Sequence, residues 1–124
     1  MEQKTPNPKP SQTDSFDEVY ANNSRFEPSV WDLKLIFGQL AQHEGGPGVD
    51  WHTAVTVPWI QAKLLSYYLR LNLAYHEHQH GPFNVPSAVS PQLVDPPTEE
   101  QLRSDPKLLE LYKVHKRIHE EMFG

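Results

Sequence analysis

The chain has 124 residues, the length of about one domain, with 16 acidic against 11 basic side chains and a formal charge of −5. The absence of cysteine excludes a disulfide framework and a thiolate metal site. No stretch carries a basic run, so binding driven by nucleic-acid phosphates or anionic lipid is disfavoured.

Residues 1–15 hold Pro6, Pro8 and Pro10 among Lys, Gln, Ser, Thr and Asn, with no apolar residue after Met1. Such a segment buries too little surface to offset its ordering entropy and is expected to be a disordered arm. It lacks the apolar stretch of a secretory signal, and no apolar run approaches the ~20 residues of a membrane span. A soluble cytoplasmic protein is the expectation, with no membrane partner.

Order begins near Phe16. Val19–Phe26 reads as a first strand, followed by a turn at Glu27-Pro28-Ser29. Trp31, Leu33, Leu35 and Phe37 then alternate with Asp32, Lys34 and Ile36, the period of a strand with one buried face, and Gly38 is expected to end it. Residues 39–50, containing Gly45-Gly46-Pro47-Gly48, read as a flexible connection. Val49, Trp51, Thr53, Val55 and Val57 supply a third strand, and three consecutive strands suggest an antiparallel meander.

Pro58 closes that strand and suits the first position of a helix. From Trp59 to His80 there is no Gly or Pro, which predicts a helix about 33 Å long. Ile60, Leu64, Tyr67, Tyr68, Leu71 and Tyr75 form one apolar stripe, with Leu65, Leu69 and Leu73 in a second, and Gly81-Pro82 ends the helix. Residues 82–97, with five prolines, read as an extended linker that packs through Phe83, Val85 and Val89. Thr98-Glu-Glu-Gln101 resembles a capping box, and Asp105 followed by Pro106 is a second start signal. Over 98–124, Leu108, Leu111, Tyr112, His115, Ile118 and Met122 mark an amphipathic C-terminal helix.

The fold class is therefore α+β: a three-stranded antiparallel meander packed on one long helix over residues 16–81, with a C-terminal helical extension. The strands and first helix span about 65 residues, and domains of that size bury only roughly 60% of their unfolded surface. The spare apolar faces call for the C-terminal helix, a second copy of the chain, or both; a homodimer is preferred over a monomer completed by the C-terminal helix alone, with Tyr68, Leu71, Tyr75, Leu111 and Ile118 as interface candidates.

The motifs Tyr20-Ala-Asn22, Trp31-Asp-Leu-Lys-Leu-Ile-Phe-Gly38, Val55-Thr-Val-Pro58, Ala62-Lys-Leu-Leu65, Glu77 and Gly81 together resemble the small bacterial and archaeal domain-of-unknown-function 3467 family over about residues 18–81. The resemblance implies an architecture and no reaction. His76 and His80 stand where the family pattern has Tyr and Phe.

His76-Glu-His-Gln-His80 satisfies the H-E-x-x-H zinc-protease pattern, but Gly81-Pro82 follows the second His at once, and His also suits the negative end of a helix dipole. A milder alternative pairs His76 and His80 with His115 and His119 as a four-imidazole zinc site. Trp31 and Trp51 fall in phase with the apolar strand faces and are expected in the core, with Trp59 at the strand–helix junction. Asp32 is expected to pair with Lys34 or Lys63, and the Asn22-Asn23 pair to end or kink the first strand by side-chain-to-backbone bonding. No nucleophile triad, phosphate loop or paired-carboxylate motif stands out, so no catalytic or cofactor-binding residue is assigned. The preferred function is a non-enzymatic, homodimeric protein-binding or accessory module; the alternative is a histidine-held zinc with hydrolytic activity.

Overall fold

The computed structural model describes residues 10–124, so most of the expected N-terminal arm lies outside the described residues. The elements are β1 (Asn23–Pro28), β2 (Asp32–His43), β3 (Gly46–Pro58), α1 (Trp59–His80), α2 (Glu99–Ser104) and α3 (Leu108–Phe123). They belong to two compact units, one ending at Asn72 and one spanning Leu73–Gly124.

The strands form an antiparallel sheet in the order β1-β2-β3, the expected meander. Its boundaries differ from the sequence reading in three places. β1 starts later and runs through Pro28, which an edge strand tolerates because its missing N–H need not join a ladder. β2 does not stop at Gly38 but continues to His43. The expected flexible connection shrinks to Glu44-Gly45, because His43 pairs directly with Gly46, whose φ of 118° suits glycine alone.

The reason lies at Gly38. The register shifts there: Phe37 faces Thr53, but Gly38 faces Trp51, which leaves His52 as an extra residue in a β-bulge. A Cβ at position 38 would sit 2.6 Å from the Asp50 carbonyl oxygen and 2.8 Å from the Trp51 and Val49 side chains. Glycine is thus the close-approach residue of a continuing strand, as glycine within a strand often is.

Residues opposite one another in a ladder share a face. Phe26, Pro28, Leu33, Leu35, Phe37, Val55 and Val57 fall on one face, while Arg25, Glu27, Lys34, Ile36, Ala54 and Thr56 fall on the other. The bulge places Trp51 with the second set, opposite Gly38, which corrects its expected core position. Trp31 is corrected too. It precedes β2 in the turn and is 83% exposed.

That turn is held by Ser29, whose Oγ accepts from the Trp31 and Asp32 amides and donates to Asp32 Oδ1 at 2.9 Å. Asp32 is thereby engaged locally, and Lys34 instead pairs with Glu27 at 3.6 Å, its neighbour across the strands. The side-chain-to-backbone role expected of the Asn pair is found at Asn22, whose Oδ1 accepts the Leu40 amide at 3.0 Å.

β3 passes into α1 with no intervening residue, and the Trp59 indole N–H donates to the Ser29 carbonyl at 2.9 Å. Trp59→Phe should remove this junction bond at a cost of about 1 kcal/mol, read as a lower urea midpoint with an unchanged slope; an unaltered midpoint would show the bond to be dispensable. The α+β class, the meander, the long helix and the C-terminal helices are as expected. The packing of helix on sheet is not: among the described residues the extensive element contacts are β1 with β2 and β2 with β3, α2 touches α3 only slightly, and α1 has no buried residue.

Candidate functional site

The first candidate surface is the apolar sheet face. Leu35 and Ile36, at 6% and 7% exposure, are the only buried apolar side chains among the described residues, and they point to opposite faces of the central strand. Around Leu35, Phe26 and Val55 remain 58% and 45% exposed, while Leu33, Phe37 and Val57 are half-buried. A sheet normally covers such a face with a second layer.

α1 is the second. At about 100° per residue, Ile60, Leu64, Tyr67, Tyr68, Leu71 and Tyr75 gather on one side, but Leu65, Leu69 and Leu73 lie on the order of 150° away. The second stripe is therefore nearly opposite the first rather than beside it. A helix apolar on two sides suits a position between layers. Yet Ile60 is 79% exposed, Tyr67, Tyr68 and Tyr75 are exposed, and of the interface candidates on this helix only Leu71 is half-buried.

A family model for proteins of unknown function (DUF3467) matches residues 1–85, a span that takes in the meander, the Val-Thr-Val-Pro58 entry and α1. The chain belongs to this family. The DUF3467 match extends beyond the quoted motifs at both ends, taking in the N-terminal segment, and stops before α2. No curated protein and no solved structure matches the chain.

The end of α1 is packed ring against ring. The His76 ring stacks on Phe83 at 4.7 Å with an 8° interplanar angle and lies 4.5 Å from the His80 ring, so both imidazoles occupy aromatic packing positions. The Gly81 amide closes the helix on the Glu77 carbonyl at 2.8 Å, with Gly81 at a φ of 88°.

Of the second pair of histidines, His119 is engaged elsewhere. A His119 ring nitrogen, Nε2, donates to the Pro91 carbonyl at 2.8 Å, and the His119 ring tilts against Phe123. Among the described residues no group of three or more His, Asp or Glu is placed to hold a metal, so the four-imidazole arrangement weighed as an alternative is not assembled.

The His119 bond also settles how the proline-rich stretch runs. It folds back along α3, with Pro91 beside an open groove lined by Leu111, Val114, Ile118 and Phe123, and Val94 and Pro97 beside Leu108 and Tyr112. Leu111 and Ile118 remain exposed. The capping-box signal belongs to the separate short helix α2, where Thr98 Oγ1 accepts from the Gln101 amide and Gln101 Oε1 from the Thr98 amide. Lys107, not Asp105, stands at the N-cap of α3; Asp105 ends α2 and accepts the Lys107 amide through Oδ1.

On the polar sheet face, sequence reasoning missed a cluster. The Arg25 guanidinium lies 5.1 Å from the centre of the Trp51 ring and 3.0 Å from Glu27, and His52 Nε2 reaches the Tyr20 carbonyl at 3.0 Å. The one available signal was Gly38 within an alternating strand. No helix among the described residues is long and apolar enough to cross a membrane.

Proposed function

We propose that this DUF3467 protein is a non-enzymatic homodimeric module of the cytoplasm, binding or assisting another protein. The observation that carries the reading is the apolar sheet face around Leu35, left without a second layer in its own unit. Exposed apolar surface of this kind marks an interaction site, and a second copy is the partner always present at equal concentration. Leu111 and Ile118 on α3 are the candidates for contact with a partner protein, by helix-in-groove docking.

Light scattering at micromolar concentration should give twice the 14.3 kDa of one chain. Val55→Asp places a carboxylate on the face beside Leu35. It costs little in a single copy, where position 55 is open to water, but burying an unpaired charge in an interface costs several kcal/mol. The variant should therefore dissociate at least a hundredfold more readily while keeping its circular dichroism. A wild-type mass of one chain at all concentrations refutes the reading.

A further inference from the structure

Among the described residues of its own unit, which ends at Asn72, the sheet has no covering helix and the first half of α1 has no surface to cover. These two vacancies match in chemistry, yet the chain cannot join them within itself. Connections that turn a strand back into a helix packed on the same sheet usually take about 2–6 residues. Here β3 ends at Pro58 and α1 begins at Trp59, with the Trp59 indole tied to the Ser29 carbonyl at 2.9 Å. The helix therefore leaves the sheet instead of doubling back over it.

Resting on the homodimer reading above, we infer that α1 of each copy lies across the apolar sheet face of the other. The occupant is a second copy because one chain supplies one uncovered face and one uncovered helix, so a two-fold exchange satisfies both at once. Such an arrangement is isologous and closed. It turns two single-layer sheets into two layers of helix on sheet. Ile60, Leu64, Tyr67 and Leu71 are the helix side that meets Phe26, Leu35 and Val55.

The area is sufficient. Aromatic side chains bury 150–250 Å² each, and the exposed fractions of Phe26, Val55, Ile60, Leu64, Tyr67 and Tyr68, with the half-buried neighbours, amount to on the order of 1,000 Å² per copy on that scale. A standard stable interface takes about 800 Å² from each partner. Reciprocal exchange thus exceeds the usual need without any contribution from α2 or α3.

The absence of cysteine makes disulfide trapping direct. Single-cysteine proteins with Phe26→Cys or Val55→Cys on the sheet are each mixed with single-cysteine proteins carrying Ile60→Cys, Leu64→Cys, Tyr67→Cys or Leu71→Cys on the helix. Subunits are allowed to exchange before oxidation, and products are resolved on non-reducing gels beside light scattering of the unoxidised mixtures. The expected result is a dimeric mass and a covalent sheet-to-helix dimer in at least one mixture, severalfold above the same-variant product. A dimeric mass with no sheet-to-helix product in any mixture overturns the exchange and leaves the homodimer standing; a monomeric mass removes both.

Discussion

Leu35→Ala is expected to lower the unfolding free energy by about 3 kcal/mol, within the 2–5 kcal/mol found when a buried leucine is truncated. Leu35 sits at 6% exposure on the central strand, with Phe26 and Val55 as its register partners on either side. No other apolar side chain on its face is buried to that degree, so its truncation removes the largest share of the apolar burial that this face has. Against a typical total of 5–15 kcal/mol, the loss is large. Chemical denaturation at one fixed protein concentration, held constant because association shifts apparent stability, measures it. Leu40→Ala is the control: Leu40 lies on the same strand at 60% exposure, and its truncation should cost about 0.5 kcal/mol or less. Equal losses at the two positions would contradict the placement of the core at Leu35.

Gly38→Ala is expected to cost roughly 2–3 kcal/mol, the upper part of the usual range for overpacking. The new methyl would stand 2.6 Å from the Asp50 carbonyl oxygen. A backbone atom inside a ladder can move only by disturbing the bulge that also positions Trp51 and His52. At about 4–8 °C per kcal/mol for a domain of 60–100 residues, the melting temperature should fall by roughly 10–20 °C. Gly45→Ala is the matched comparison, because a Cβ there meets nothing within 4 Å; it should be neutral or slightly stabilising through a less flexible unfolded chain. A Gly38→Ala protein as stable as the wild type would show that the close approach across the bulge does not exist.

Alternation made the sheet legible. Leu33, Leu35 and Phe37 on β2, with Val55 and Val57 on β3, share a face as their period requires. Trp31 and Trp51 broke the extrapolation for separate reasons: Ser29 closes a turn that excludes Trp31 from the strand, and the extra residue at His52 turns Trp51 to the other face. Gly38 signalled a strand end by composition but records a close approach, which only the opposite strand reveals. The length of α1 was visible from the run free of Gly and Pro. Its failure to cover the sheet was not read, although the sequence already joined strand to helix at Pro58 with no loop residue to turn the chain back. Tyr68, Leu71 and Tyr75 were legible as one helix side. The roles of His76 and His119 rest on partners, Phe83 and the Pro91 carbonyl, that are distant in sequence or hidden in a proline-rich stretch without periodicity.

The two-residue turn at Glu44-Gly45 bears on how quickly the molecule can be made. Because each strand pairs only with its neighbour in the chain, the hairpin of β2 and β3 can zip outward from its tip on the microsecond scale typical of such units, and β1 then adds across another short turn. Topologies built from sequence-local pairings fold fast. For the homodimer proposed above, the step left to govern assembly is diffusional encounter, so recovery after dilution from denaturant should quicken as more protein is present.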